Sequence, residues 1–350
     1  MTETARMLGL TEPLHQRVSQ KFLTAFKAKD ILFSETSLAY LQARGGASFQ
    51  LRYCPALKKK PQGDAFVPKK KPLGPHFDPF EDPPAELLIA QIPAHNASHN
   101  LVLNKYPVIH NHFILATKAN KPQTDLLEAD DIGLTHACLR AWHDQRHGGD
   151  PSRLFAFFNS GEHSGASQMH RHLQFLPVED MAGPNSREWR LLIDRMTVPA
   201  HPDLPLFQDP SLPILHFSTP LEPDASAADL HRRYVLLVQA ALSAAEFPGQ
   251  PLDQSLAIER NGKTLISYNL AMTMERMAIC PRRQEAVDIP GAGPESSVAI
   301  NGTILAGTLM VKDETEWDVL RETHSLLDDM LAAIGFSLTS WKQNERTSKA

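Results

Sequence analysis

The sequence predicts an α+β protein built on an antiparallel sheet that is flanked by helices and joined by long irregular connections. Three observations predict this class. Segments of strand length come in groups, amphipathic helical segments separate the groups, and 27 prolines among 350 residues are typical of irregular connections. Strands that come in runs, rather than alternating one by one with helices, favour an α+β fold over a parallel α/β sheet.

Four segments carry apolar residues at helical spacing. In the first, Leu14, Val18, Phe22 and Phe26 recur every four residues and form one apolar stripe. Gly335 follows the last segment and is expected as its C-cap. The predicted helices are Leu14–Ala28, Asp125–Arg146, Leu230–Phe247 and Glu316–Ile334.

Short apolar runs bounded by turn residues predict the strands. Two of them, Ser267–Met274 and Arg276–Cys280, are expected to pair antiparallel, and the proline-rich stretch 199–223 is expected to hold at most one strand. Residues 55–84 are rich in proline and lysine and cannot pack well, which predicts a mobile surface loop. The remaining predicted strands are Phe49–Tyr53, Glu86–Ile92, Leu101–Leu103, His112–Thr117, Leu154–Asn159, His170–Leu176, Ile214–Ser218 and Thr303–Val311.

Composition excludes several classes of protein. A net charge of -5 gives no bulk reason to bind nucleic acid. No apolar run reaches the roughly 18 residues of a membrane span, and the N-terminus does not resemble a signal peptide. Three cysteines without any Cys-x-x-Cys pair indicate a reducing compartment and no thiolate zinc site. We therefore expect a cytoplasmic protein that contacts neither membrane nor nucleic acid.

The segment His170–Gln174 places three polar side chains on one face of a predicted strand. Alternate residues of a strand share a face, so His170, His172 and Gln174 point one way, while Arg171 and Leu173 point the other. Polar side chains on an otherwise apolar strand are costly to bury without partners. We therefore expect these three to line a site.

The preceding segment, 159–168, is rich in small residues. Such residues let the backbone turn tightly and expose consecutive N–H groups, which favours an anion-binding nest. The hydroxyls of Ser164 and Ser167 are expected to add donors. A histidine beside such a loop is suited to attack phosphorus while the donors stabilise charge on the phosphate oxygens. Arg282 and Arg283 could also contact phosphate, but we predict that they form an exposed pair.

Spacing alone leaves two other readings open. A His-x-His pair on a strand is a common metal-ligand spacing, and nearby histidines could complete a metal site. Those histidines are His95, His99, His110, His112 and His163. The pair could also be merely structural.

The motif His170–Gln174 resembles the His-x-His-x-Gln motif of the histidine-triad superfamily's transferase branch. The similarity is specific to the fungal-type diadenosine tetraphosphate phosphorylases, or ATP adenylyltransferases, and implies a histidine-triad-like sheet. Their members carry more glycine where this chain has Ile304–Ala306. The segments that carry the resemblance are Pro55–Leu57, Lys60–Pro61, Leu103–Val108, His112–Thr117, Phe158–Gly161, Ser164–Ser167, His170–Gln174, Ser267–Leu270 and Asn301–Lys312.

The resemblance implies a role for each member of the motif. His172 would be the nucleophile that becomes adenylylated, and His170 would orient its imidazole through a hydrogen bond. Gln174, which replaces a third histidine of the hydrolase branch, would donate to a phosphate oxygen. The implied nucleotide contacts are Lys60, Leu103, Asn104, Asn159, Gly165, Ala166, Ser167, Gln168, Gln174, Asn301, Gly302, Thr303 and Lys312.

The resemblance also implies an enzyme that phosphorolyses diadenosine tetraphosphate to ATP and ADP, reversibly, through an adenylyl-histidine. Residues 1–200 would form the catalytic region, and 201–350 would complete the same sheet and nucleotide site. The implied partners are dinucleoside polyphosphates, ATP, ADP and inorganic phosphate, with Mg²⁺ carried on the polyphosphate and no tightly bound cofactor or protein metal site. Cytoplasmic localisation is expected, and Lys69–Lys71 resembles a weak nuclear-import signal.

Two rival functions are compatible with the same residues. One is a dinucleoside polyphosphate hydrolase or nucleotide-sugar transferase of the same superfamily, and the other is a non-catalytic nucleotide- or metal-binding regulator.

Overall fold

A computed structural model describes residues 8–59, 78–144, 146–147, 150–183, 189–294 and 296–338. Lys60 and Lys69–Lys71 lie outside these ranges, as does most of the loop predicted over 55–84. The helices are α1 (Leu14–Ala28), α2 (Ala129–His143), α3 (Val178–Met181), α4 (Leu192–Arg195), α5 (Ala227–Glu246), α6 (Glu314–Glu322) and α7 (Leu326–Ile334), and 3₁₀ turns cover Pro55–Lys59 and Gly302–Ala306.

Most strands belong to two sheets. The strands before residue 200 are β1 (Ser37–Gln42), β2 (Ser48–Tyr53), β3 (Leu88–Ile92), β4 (His99–Leu103), β5 (Phe113–Thr117), β6 (Arg146–His147), β7 (Asp150–Pro151), β8 (Leu154–Ser160), β9 (His172–Pro177) and β10 (Val198–Pro199). The later strands are β11 (Phe207–Gln208), β12 (Phe217–Pro220), β13 (Glu259–Arg260), β14 (Lys263–Thr264), β15 (Ser267–Met272), β16 (Arg276–Arg282), β17 (Ala286–Val287), β18 (Val298–Ala299) and β19 (Thr308–Val311).

The main sheet has ten strands in the order β10-β11-β12-β16-β15-β8-β9-β5-β4-β3, and every neighbouring pair is antiparallel. This confirms the predicted α+β class. β8 and β15 are neighbours, so strands from both halves of the chain form one sheet. The sheet therefore brings residues far apart in sequence to one place at its centre.

Each face of the main sheet is covered by a different layer. Helices α1, α2 and α5 pack on one face, where Leu173 and Phe175 of β9 join their core. On the other face, the small sheet β1-β2-β19 packs with α6 and α7 against residues such as Phe157 and Leu176. The central strands β8 and β9 are thus covered on both sides. Within the described ranges, none of the helices has the length and apolar character that crossing a bilayer requires.

Several predicted elements have different bounds. The strand predicted at Thr303–Val311 starts at Thr308, because the side chain of Asn301 caps a 3₁₀ turn that precedes it. The predicted helix Glu316–Ile334 is two helices that break between Glu322 and Leu326. Gly335 is the C-cap of the last helix, as predicted, and its backbone there is extended, with φ -129. The stretch 199–223 holds both β11 and β12, and β1 was not predicted.

Candidate active site

His172 opens strand β9 at the centre of the main sheet, and its side chain is only 3% exposed. Its ring Nδ1 lies 2.8 Å from the main-chain carbonyl oxygen of His170. A carbonyl can only accept, so in the neutral ring Nδ1 carries the proton and Nε2 carries the lone pair. In this tautomer the Nε2 pair is the one that could attack phosphorus.

The residues of β9 alternate between faces as predicted. Leu173 and Phe175 pack into the core beneath the helices, whereas the ring of His172 lies 4.9 Å from that of Phe80 on the opposite face. The strand itself begins at His172 and not at His170, which forms a single bridge with Pro122. His170 nevertheless reaches the same face, where its ring contacts Phe80 edge-on at 5.7 Å.

Among the described residues, the hydrogen bonds of the His170 side chain are made to Thr117 and Asp78 and not to the imidazole of His172. Its Nε2 donates to the carbonyl oxygen of Thr117 at 2.7 Å, and its Nδ1 lies 2.7 Å from a carboxylate oxygen of Asp78. Burial acts to raise the pKa of Asp78, but hydrogen bonds from the Phe80 N–H and from His170 outweigh it and lower the pKa. The orienting bond to His172 therefore comes from the His170 main chain.

Gln174 lies two residues beyond His172 and is held by a short relay. The N–H of Tyr106 donates to Oδ1 of Asn104 at 2.9 Å, so Nδ2 of Asn104 faces Nδ1 of His112 at 3.1 Å. That amide is a donor, so Nδ1 accepts and Nε2 of His112 donates to Oε1 of Gln174, 3.1 Å away. The relay fixes the amide of Gln174 with its NH₂ group turned away from His112.

The loop between β8 and β9 turns sharply at two glycines. Gly161 and Gly165 have φ values of +87 and +78, and a Cβ at Gly165 would lie 2.8 Å from the carbonyl oxygen of Ile300. Within the described residues, no main-chain carbonyl accepts from the N–H groups of 165–168. The expectation for Ser164 is wrong, because its hydroxyl donates to the Gly161 carbonyl at 2.7 Å.

A buried polar network anchors this loop. The side-chain oxygen of Asn159 accepts from Nδ2 of Asn269 at 2.9 Å and from the N–H of Gly302 at 2.8 Å. Asn269 also donates to the carbonyl of Ser164 at 2.8 Å. Arg282 donates to Oδ1 of Asn269 and is 2% exposed, so the prediction of an exposed arginine is wrong. Burial lowers the pKa of Arg282 to about 10.

A cavity of about 440 Å³ lies beside this network. Among the described residues that we predicted to contact nucleotide, those lining it are Asn104, Gly165, Ala166, Ser167, Gln174, Asn301, Thr303 and Lys312. Asn159 and Gly302 are not part of the lining. They lie so close together that a Cβ on Gly302 would be 2.8 Å from the side-chain oxygen of Asn159. The side chain of Leu103 is in the core under the helices, and Gln168 is exposed outside the lining. His172 does not line the cavity but shares a strand face with Gln174, which does.

Lys312 supplies positive charge to the cavity. Its side chain is half-buried, and within the described ranges no carboxylate lies within 4.0 Å of its ammonium group. The carboxylate of Glu316, also in the lining, accepts instead from the N–H groups of Lys312 and Asp313. The hydroxyl of Thr303 bonds within the protein, to the side-chain oxygen of Asn301 and to the main-chain carbonyl of Thr308.

The described residues contain no group of three histidine, cysteine or acidic side chains that could hold a metal ion. His99 bonds to Asp131 at 2.9 Å on the helix side of the sheet, and His112 belongs to the relay. The histidines considered for a metal site are therefore not gathered around His172.

Two sequence profiles together cover most of the chain. The profile described as the Ap4A phosphorylase N-terminal domain matches residues 5–187, which is more than half of the sequence. The chain belongs to the Ap4A phosphorylase family. The profile of the ATP adenylyltransferase C-terminal domain matches residues 210–337.

Relatives of this Ap4A phosphorylase family member match over nearly their whole length. Diadenosine 5',5'''-P1,P4-tetraphosphate phosphorylase 2 of Saccharomyces cerevisiae is 27% identical over an alignment 343 residues long, which covers 95% of this chain and 97% of the relative. The crystal structure of yeast Ap4A phosphorylase Apa2 superposes with a TM-score of 0.72 at 25% identity, covering 93% of this chain and 98% of the other. A second structure, of Apa2 in complex with Ap4A, gives the same values.

Proposed function

We propose that this protein phosphorolyses diadenosine tetraphosphate, Ap4A, to ATP and ADP, reversibly, through an adenylyl group carried on His172. The family and the yeast Ap4A phosphorylase 2, matched over nearly the full chain, support the reaction. One observation carries the mechanism. The His170 carbonyl accepts from Nδ1–H of His172, so Nε2 has the lone pair. The imidazole lies on the same strand face as Gln174, which lines the cavity.

The reaction proceeds in two balanced steps. First, Nε2 of His172 attacks the α-phosphorus of Ap4A, a P–N bond forms, the P–O bond to the β-phosphate breaks, and ATP leaves with that electron pair. Second, an oxygen of inorganic phosphate attacks the same phosphorus, the P–N bond breaks, its pair returns to Nε2, and ADP leaves. The adenylylated ring is cationic, and the His170 carbonyl that accepts from Nδ1–H stabilises it.

The neighbours of His172 suit phosphate and not water as the acceptor. Gln174 can donate to a phosphate oxygen but cannot act as a general acid or base. That limitation is compatible with ATP as leaving group, because its terminal phosphates are already ionised near neutral pH, and with phosphate, which attacks as an anion. The N–H groups of 165–167 and the ammonium of Lys312 supply the other donors, and Lys60 would add a further charge.

We expect the remaining partners to be small and anionic. Other dinucleoside polyphosphates, ATP, ADP and phosphate fit the same donors. Mg²⁺ would arrive on the polyphosphate, and no tightly bound cofactor is required by either step.

The proposal is tested by incubating the purified protein with Ap4A and labelled inorganic phosphate. ATP and ADP should form over many turnovers only when phosphate is present, and the label should occupy the β-position of ADP. ATP and AMP without phosphate dependence would identify a hydrolase. Turnover only with a sugar phosphate as acceptor would identify a nucleotide-sugar transferase, and nucleotide binding without turnover would identify a regulator.

Gly165→Ala should raise the KM for Ap4A by about tenfold or more, because the new Cβ would push the loop away from the Ile300 carbonyl and misalign its donors. Steady-state kinetics measures this effect. Gly46→Ala is the matched control, since Gly46 has φ +79 but its Cβ would meet nothing within 4 Å. The control should lose about 1 kcal/mol of stability and keep its KM. Equal KM values for both variants and wild type would contradict the assignment of this loop.

A further inference from the structure

The pairing of the two central strands stops just before His172. The ladder between β8 and β9 ends at Phe157↔Gln174, and the same register continued would oppose Phe158 to Leu173 and then Asn159 to His172. At this point the carboxamide of Gln123 stands between the strands. Its Nε2 donates to the carbonyl of Asn159 at 2.8 Å and its Oε1 accepts from the N–H of His172 at 2.8 Å.

The carboxamide of Gln123 thus bridges β8 and β9 where their main-chain pairing has ended. The bonding partners fix the orientation of its amide, because the His172 N–H can only donate and the Asn159 carbonyl can only accept. A second, longer contact joins Nε2 to the carbonyl of His172 at 3.3 Å. Gln123 is 0% exposed, so water cannot replace these bonds if the side chain is removed.

The segment that carries Gln123 is itself tied down on both sides. On one side, the N–H of Gln123 donates to the Met169 carbonyl at 2.7 Å, and the N–H of Arg171 donates to the Lys121 carbonyl at 2.7 Å. On the other side, the Thr124 carbonyl accepts from Thr264. A carboxamide on so rigid a segment can set the position of the strands that it joins.

The two strands joined by Gln123 carry the two halves of the site. His172 is the proposed nucleophile. Asn159 accepts from the N–H of Gly302 and from Asn269, and Asn269 donates in turn to the carbonyl of Ser164. Ser164 lies in the loop between β8 and β9, which is the proposed phosphate-binding loop. We infer that Gln123 is a positioning residue that sets the distance between the Nε2 of His172 and the phosphate-binding loop. This inference rests on the proposed adenylyl transfer to His172.

The effect of losing Gln123 should fall on the chemical steps more than on binding. The loop and cavity of the variant would keep their own anchors in Asn269 and Arg282, so nucleotide affinity should change little. The main-chain N–H of His172, however, would lose its hydrogen bond to the side chain of Gln123. A displacement of about 1 Å at a reacting group costs about a hundredfold in rate.

The test compares Gln123→Met, which keeps the length of the side chain but has no amide, with Gln208→Met. Gln208 is also buried, and its Nε2 donates to the carbonyl of His216 at 2.9 Å in strand β11, away from the cavity. The rate of adenylyl-histidine formation from Ap4A is measured by rapid quench, and AMP affinity by calorimetry. Hydrogen exchange of the His172 amide reports directly on the bond to Gln123.

In Gln123→Met we expect adenylylation to slow by about 10- to 100-fold, with AMP affinity within about threefold of wild type. The His172 amide should exchange faster, and Gln208→Met should change neither rate nor exchange at His172. Unchanged adenylylation in Gln123→Met, or an equal loss in both variants, would overturn the inference. Gln123→Asn, which keeps the amide on a shorter stem, replaces Gln123→Met if the latter does not fold and should show the same pattern. A wild-type protein that forms no adduct on His172 would instead refute the proposed function.

Discussion

His172→Ala should lower the kcat for Ap4A phosphorolysis by at least about a thousandfold, because it removes the proposed acceptor of the adenylyl group. The same change should abolish the covalent adduct. Brief reaction of the wild-type protein with Ap4A labelled in the α-phosphate, without inorganic phosphate, should leave one acid-labile adenylyl group on the chain. Peptide mapping should place it on His172, and added phosphate should release it as ADP.

A buried histidine elsewhere in the chain provides a matched control for this variant. The Nδ1 atom of His216 lies 2.7 Å from the carbonyl oxygen of Ile214, two residues upstream, as that of His172 lies 2.8 Å from His170. His216→Ala removes a similar side chain far from the cavity, so it should lower the melting temperature and leave the adduct intact. Normal turnover by His172→Ala, or an adduct on any other residue, would contradict the mechanism.

The features that sequence predicted well depend on local periodicity. The alternation of a strand was enough to separate His172 and Gln174 from Leu173 and Phe175, and the structure confirms that separation. The antiparallel pair β15 and β16 was also predicted, because its two apolar runs are adjacent in sequence. Spacing could not decide between metal binding and nucleophilic attack, and the family motif supplied that choice.

The features that sequence did not predict depend on contacts between distant residues. Asp78 lies at the end of a stretch predicted to be a mobile loop, yet it bonds to His170, 92 residues away. Gln123 has no motif of its own and reaches His172 across 49 residues. Arg282 was predicted to be exposed because charged residues seldom lie in a core unless they are paired. It is buried because several carbonyl groups and Asn269 satisfy its donors.

Gln174→Glu should lower kcat/KM for Ap4A by more than about a thousandfold, because it adds charge repulsion to the loss of a donor to a developing oxyanion, which alone costs about a hundredfold to a thousandfold. A glutamate can still accept from Nε2 of His112, so its other oxygen would take the place of the NH₂ group. That exchange removes a donor and puts a negative charge where the phosphates are expected to lie. Steady-state kinetics over a range of Ap4A concentrations measures the loss.

Gln174→Met separates the two causes of that loss. Methionine has nearly the same length but neither donates nor carries charge, so this variant should lose only the contribution of the donor, about a hundredfold to a thousandfold. The additional loss in Gln174→Glu is electrostatic and should shrink as salt is added, because screening weakens repulsion between the carboxylate and the phosphates. Equal activities for the two variants at low salt would mean that the Gln174 side chain does not face phosphate. Its relay with His112 and Asn104 would then serve only to hold β9 in place.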